Sequence, residues 1–317
     1  MAKPETAETA LKRVRSLHIG SARDAEAASH ITRLLAKDEQ GHLTPVAERF
    51  TRTGETRGFM LIGGPGSGKS HLIKRTLSKL TVLREGEYGR PRYLGCPVPS
   101  PATFKSMTLA LLEESGYPDA NPRKEAWSLW QDLRHRLELL GISVLWIDEA
   151  QDLFCADRKL ILRALKSLMQ GDDAVVVVLS GTEDLAKVIR TDPQVKRRFT
   201  AMVLPDLVEQ VDGDSFRDVT SQYCQRVGLG EPVEADLIGR IFHGARYRFG
   251  RALELLLQAM EIAIGRGDGD LDIGHFAAAY AMNEACTAAE NVFYAEHYWL
   301  LKPDEDEELE RPRPRKR

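Results

Sequence analysis

The segment Gly63-Gly64-Pro65-Gly66-Ser67-Gly68-Lys69-Ser70 constrains this chain more than any other. It fits G-x-x-x-x-G-K-[ST], a loop that holds phosphate groups. The apolar run Phe59-Met60-Leu61-Ile62 precedes it and reads as a buried strand. His71-Leu72-Ile73-Lys74-Arg75-Thr76-Leu77 follows it and reads as the start of a helix. Strand, loop and helix in that order are the context the motif requires. Gly64, Pro65, Gly66, Ser67, Gly68, Lys69, Ser70 and His71 form the expected cradle. Its glycines let the backbone curl until successive N–H groups face one anion. The helix start adds the positive end of its dipole. Lys69 is expected to reach the β- and γ-phosphates, and the Ser70 hydroxyl to bind Mg²⁺. The ligand implied is ATP. The competing reading, an ordinary glycine-rich turn, leaves the acidic strand end downstream without a partner.

That strand is Ser143-Val144-Leu145-Trp146-Ile147-Asp148-Glu149-Ala150-Gln151, an apolar run closed by two acids. In a parallel sheet, active groups collect at the carboxyl ends of strands. Asp148 is expected to hold the Mg²⁺ water shell and Glu149 to act as general base toward the attacking water. The alternative is a solvent-exposed acidic turn. A further run, Val175 to Leu179, enters Ser180-Gly181-Thr182. Thr182 is the first candidate for sensing the γ-phosphate or the lytic water, and Ser180 the second; a cap for a helix starting at Glu183 is the competing reading of Thr182. In Asp192-Pro193-Gln194-Val195-Lys196-Arg197-Arg198-Phe199, an arginine just before a last strand is placed to reach a neighbouring subunit's γ-phosphate. Arg198 is the candidate finger, with Arg197 left as the alternative. A basic helix C-terminus that only complements the dipole accounts for the same residues. Arg251, at the start of a later helix, is a candidate to close over the phosphates, or a surface arginine.

Around these motifs the chain changes character twice. Residues 1–57 read as a polar, mostly helical extension, with Ala27, Ile31, Leu34 and Leu35 at helical spacing. Residues 58–205 alternate short apolar strands (59–63, 92–96, 142–147, 174–180, 201–204) with amphipathic helices (68–82, 101–116, 124–140, 157–170, 183–191). This predicts an α/β parallel sheet covered on both faces. Residues 206–290 read as a helical module, with helices at 213–227, 233–244, 249–266 and 272–290. Within it Leu253, Leu256, Leu257, Met260 and Ile264 mark one helical face. Residues 291–317 carry apolar positions from Asn291 to Leu300, read as packing on the helical module, with docking of a partner as the competing reading. An acidic run, Asp304 to Glu308, and a basic end, Arg311 to Arg317, follow and are expected to be disordered.

The 317 residues suit about two domains. A net charge of −3 excludes a protein that coats DNA by a global positive field, so any DNA contact is a local patch. Cys96, Cys155, Cys224 and Cys286 have no metal or disulfide spacing, which fits a reducing cytoplasm. Met1 to Glu5 shows no secretory signal, and Ala174 to Leu179, the longest aliphatic run, is too short to span a bilayer.

The phosphate loop, the apolar strand ending in Asp148-Glu149, the arginine before Phe199 and the helical module together resemble an AAA+ ATPase. More narrowly, Gly181-Thr182-Glu183-Asp184-Leu185, Thr191-Asp192-Pro193-Gln194 and Arg198-Phe199 resemble the TniB/TnsC group of transposition ATPases, as do Cys96-Pro97-Val98-Pro99 and Asp148-Glu149-Ala150-Gln151. The similarity spans about residues 58–290. Gln151 departs from the histidine often found there in TniB-type chains, and this phosphate loop is richer in glycine. The resemblance implies an AAA+ core with a helical lid and an ATP site shared between subunits. It further implies assembly as a ring or helical filament on double-stranded DNA of any sequence. The group carries target-site information to a transposase and stimulates it, so a transposase and a target-selection protein are the implied partners, with no membrane. By the same resemblance, DNA contacts fall on Thr103, Lys105, Arg123 and Lys124; a lysine beside small hydroxyls suits phosphate contact. Solvated surface lysines are the competing reading. Trp127 and Trp130, at i and i+3, read as core, with platforms for base stacking as the competing reading. Two other jobs fit the ATP site: an initiator- or clamp-loader-like DNA remodeller, and a signalling or secretion switch that binds no DNA.

Overall fold

The structure, a computed structural model, describes residues 6–154 and 157–303. Met1 to Glu5, Cys155 and the charged tail from Asp304 to Arg317 lie outside the described residues. The chain divides into two compact units, with boundaries after Ile19 and after Pro205. Helix α1 (Ala7–Arg15) therefore groups with the residues that follow Pro205, and the rest of the predicted N-terminal extension groups with the sheet.

The sheet unit begins with α2 (Ala22–Thr32), where Ser21 and Asp24 close a reciprocal capping box. A two-stranded antiparallel hairpin follows, β1 (Leu35–Lys37) and β2 (Leu43–Ala47). The helical spacing of Ala27, Ile31, Leu34 and Leu35 thus misleads in its second half, because the helix stops at Thr32. The reason is local turn chemistry. The Asp38 carboxylate accepts hydrogen bonds from the N–H groups of Gln40 and His42. Leu34 and Leu35 are still buried, but as hairpin residues.

Five parallel strands then form one sheet: β3 (Gly58–Ile62), β4 (Tyr93–Pro97), β5 (Val144–Asp148), β6 (Val176–Gly181) and β7 (Phe199–Val203). Their order is β4-β5-β6-β3-β7. Between them run α3 (Lys69–Lys79), α4 (Phe104–Glu114), α5 (Ala126–Leu139), α6 (Ala150–Leu153), α7 (Arg158–Leu168), α8 (Glu183–Arg190) and α9 (Pro193–Lys196). The strands read as unbroken apolar runs because both faces are covered. Leu145 and Ile147 of β5 join a core with Leu129, Leu133 and Leu165. Val144 and Trp146, pointing the other way, join a core with Ile31, Leu72, Ile73 and Leu77. The order matters for the site. It sets β6 between β3 and β5, so the loop after β3 and the carboxyl ends of β5 and β6 are neighbours.

The second unit is helical: α10 (Glu209–Val227), α11 (Leu237–Gly244), α12 (Phe249–Arg266) and α13 (Ile273–Glu284), together with α1. Helix α12 has the bounds its periodicity predicts, and its buried stripe runs through Ala252, Leu255, Leu256, Ala259, Met260 and Ala263. Leu253, Leu257 and Ile264 lie at the edge of that stripe, only partly buried. Helix α13 stops earlier than predicted, at Glu284, where Ala285 takes a left-handed conformation (φ 50°). Val292 and Phe293 then pack inward, Phe293 against Phe276 at 5.7 Å between ring centres. Tyr294, Trp299 and Leu300 stay exposed. Among the described residues no helix is long and apolar enough to cross a membrane.

Candidate active site

The loop between β3 and α3 is built by backbone conformations that only glycine adopts without strain. Gly66 (φ 73°) and Gly68 (φ 90°) are both left-handed, and Gly68 is the residue on which α3 starts. Gly63 continues the sheet, donating to the Gly181 carbonyl at 3.0 Å. A Cβ on Gly63 would lie 2.6 Å from the Ser67 Oγ, so the turn closes tightly. Lys69 is buried, and its ammonium donates to the Gly64 carbonyl at 3.2 Å, which holds the charge over the loop. The Ser67 hydroxyl is buried without a hydrogen-bond partner. Ser70 and His71 are exposed on the first turn of α3, and Pro65 and Gly66 are exposed at the loop tip. A curled, glycine-rich backbone with a buried lysine and a helix N-terminus suits a polyphosphate and its Mg²⁺.

At the end of β5, Asp148 is buried and its Oδ1 accepts from the Ser180 hydroxyl at 2.5 Å. The Trp146 indole N–H donates to the same hydroxyl at 2.7 Å. The Ser180 hydroxyl is thereby engaged between the Trp146 indole and the Asp148 carboxylate. Glu149 sits in a left-handed conformation (φ 51°, ψ 40°) and is the residue on which α6 starts. A glutamate there carries backbone strain, which the fold sustains at a point where a side chain must aim. Its Oε2 accepts from the Gln151 amide at 2.7 Å. Thr182 lies at the start of α8, but its side chain makes no capping hydrogen bond, so the cap reading of this residue is not realised.

The arginines separate. The helix that ends near Arg190 is followed by a second short one, α9, capped by Asp192, whose Oδ1 accepts from the N–H groups of Gln194 and Val195. Burial opposes ionisation of Asp192, but those N–H bonds and Lys166 outweigh it and hold its pKa below the ordinary carboxylate value. Arg198 is 4% exposed, and its guanidinium donates to Glu55 at 2.6 Å and to the Lys166 carbonyl at 3.3 Å. Burial lowers its pKa, and the Glu55 carboxylate works against that. Arg197 also reaches Glu55, at 3.0 Å, but its side chain is 58% exposed. Arg198 is therefore turned into its own fold, contrary to the expectation that it reaches outward. Glu55, in a polar loop, gave no sequence signal. Arg251 belongs to the helical unit, in the first turn of α12. There it lines a cavity of about 290 Å³ with Glu254, Gln258 and Glu284.

The predicted DNA contacts gather at the N-terminal ends of α4 and α5. Thr103 caps α4, its hydroxyl accepting from the Ser106 N–H at 3.0 Å. Lys105 is half-buried and Arg123 exposed. Lys124 is exposed and paired with Asp132 at 2.8 Å. Trp130 is buried as expected, but Trp127 is 45% exposed, resting near Phe104 at 6.2 Å between ring centres. The helix turns it to the rim of the core, because the three-residue step from Trp127 does not return fully to the buried face.

Among known proteins, the chain matches the family model described as bacterial TniB protein over residues 29–208. No curated protein matches it. Its structure is similar to the ADP form of the ORC2 protein of Aeropyrum pernix, with 16% identity and a TM-score of 0.58 over 88% of this chain and 75% of that one. It is also similar to the Aeropyrum pernix ORC1 protein solved in complex with DNA (20% identity, TM-score 0.58, 89% and 69% covered). A third likeness is to Cdc6p of Pyrobaculum aerophilum (14% identity, TM-score 0.57, 88% and 75% covered). At such identities the likeness is one of fold, the AAA+ fold of a parallel sheet followed by a helical unit.

Proposed function

The chain belongs to the TniB family of bacterial proteins, and from that premise we propose that it is an ATP-hydrolysing regulator of DNA transposition. In this reading it assembles in its ATP form on double-stranded DNA without reading sequence, as a ring or helical filament, and recruits and stimulates a transposase. A target-selection protein directs where it assembles, and the setting is the cytoplasm. The observation that carries the reading is the placing of the glycine loop after β3 and of Asp148 and Glu149 after β5, at the same edge of the sheet with only β6 between them, in a family member.

The chemistry follows from these side chains. Loop N–H groups and the Lys69 ammonium bind the β- and γ-phosphates and offset charge that grows during transfer. Mg²⁺, held by Ser70 and by Asp148 through its water shell, would neutralise the same oxygens. The Ser180 hydrogen bond keeps the Asp148 carboxylate aimed at that position. Glu149 takes a proton from the attacking water. Thr182, with no capping bond to satisfy, is the residue to contact the γ-phosphate or that water. Arg251 is proposed as a nucleotide contact. Of the two arginines before β7, Arg197 takes the part of the finger, because a guanidinium that serves a neighbouring subunit must be exposed. Lys105 and Arg123 are the principal DNA contacts, since Thr103 and Lys124 are engaged within the chain.

The test is ATP hydrolysis measured with and without double-stranded DNA, beside retention of the protein on a DNA column with ATP. Hydrolysis that responds to DNA and ATP-dependent retention are expected. Hydrolysis indifferent to DNA with no retention would leave a nucleotide switch unrelated to transposition. ATP-dependent remodelling of DNA without any effect on a transposase would instead favour an initiator-like role.

A further inference from the structure

We propose that Gln151 is a positioning residue that ties the Glu149 carboxylate to the end of β6, so that a shift at Thr182 is passed to the general base. This inference rests on the proposed roles of Glu149 and Thr182. The geometry is a three-part link. The Gln151 Nε2 donates to Glu149 Oε2 at 2.7 Å. At the other end of the same amide, Oε1 accepts from the Thr182 N–H at 3.1 Å. One planar amide thus joins the residue that takes the proton to the residue placed to contact the γ-phosphate.

Three features mark the link as built. Glu149 is held in a left-handed conformation, which turns the chain sharply and brings Gln151 back beside it within one turn of helix. Gly181 leaves the room the amide occupies, since a Cβ there would lie 2.4 Å from the Gln151 Oε1. Glutamine supplies the one donor and one acceptor that a carboxylate and an N–H demand. Glutamate would have no donor at neutral pH, and alanine would have neither group. When Thr182 moves to contact phosphate, the amide follows the N–H, and the Glu149 carboxylate is drawn into, or released from, its working position.

The experiment measures kcat, KM and the pH profile of ATP hydrolysis, with ATP affinity by a fluorescent analogue, for Gln151→Ala, Gln151→Glu, Gly181→Ala and Glu149→Gln. Thermal unfolding of each variant establishes that it is folded. Gln151→Ala is expected to lower kcat by about ten- to a hundredfold with KM and ATP affinity within about twofold of wild type. Gly181→Ala, which displaces the amide without removing it, is expected to do the same, and the double variant to lose no more than either alone. Gln151→Glu places a like charge beside Glu149, so the acid limb of the kcat profile is expected to move to higher pH. Wild-type kcat in Gln151→Ala and Gly181→Ala, or an unmoved acid limb in Gln151→Glu, with Glu149→Gln inactive, would overturn the link and leave the active-site reading intact. Wild-type hydrolysis by Glu149→Gln would overturn that reading and the link with it.

Discussion

At the scale of single residues, the clearest result is the contrast between Arg197 and Arg198. Both are adjacent in sequence and equally basic, so no pattern separates them. The fold does, through Glu55, which lies 143 positions from Arg198 and accepts from both. Removing the Arg198 side chain takes the more buried of two cations from the Glu55 carboxylate and leaves Arg197 as its charged partner, so the cost is a part of the roughly 3–5 kcal/mol of a buried pair broken outright. Arg198→Ala is therefore expected to lower the unfolding temperature sharply. On the proposed reading, Arg197→Ala is expected to lower stability less than Arg198→Ala, because Arg198 stays on Glu55, while reducing hydrolysis in the assembled state; thermal melts and ATPase assays on both variants check this. The motif residues were legible because their chemistry demands a fixed spacing. Lys69→Ala is expected to abolish nucleotide binding, measured by fluorescent ATP, and Glu149→Gln to bind ATP but turn it over at least about a hundredfold more slowly. The bonds that hold these residues in place were not legible. Ser180 meets Asp148 across strand ends, Gln151 meets Glu149 only because the chain turns left-handed between them, and Glu55 sits in a polar loop that carries no periodicity.

At the scale of elements, the five strands were readable because a strand covered on both faces must be apolar throughout. Helix α12 was readable because its stripe repeats over 18 residues. The hairpin of β1 and β2 was not, since Leu34 and Leu35 continue the spacing of α2 while Asp38 and Gly41 turn the chain out of it. Helix α9 escaped for the opposite reason: four residues are too few to show a period, and its start rests on the Asp192 cap. The elements also set thiol chemistry. Burial at the end of β4 pushes the Cys96 thiol up to about 11, and burial in α10 pushes Cys224 up to about 12. Both stay protonated at pH 8, and the thiolate is the reactive form. Alkylation of the native protein at pH 8, mapped by mass spectrometry, is expected to leave Cys96 and Cys224 unmodified until the protein is unfolded.

At the scale of the whole molecule, the net charge of −3 means that any attraction to DNA comes from a local patch. On the proposed reading, replacing Lys105 and Arg123 by alanine weakens binding to all sequences alike. The same replacement reduces the steepness of the salt dependence by about one unit for each phosphate no longer neutralised, measured by fluorescence titration. On the proposed reading, ATP and DNA together drive assembly. The decisive measurement is electron microscopy of the purified chain with a non-hydrolysable ATP analogue, with and without double-stranded DNA. Rings or filaments that form on DNA only with the nucleotide are predicted. Nucleotide-bound particles of unchanged size, indifferent to DNA, would contradict it.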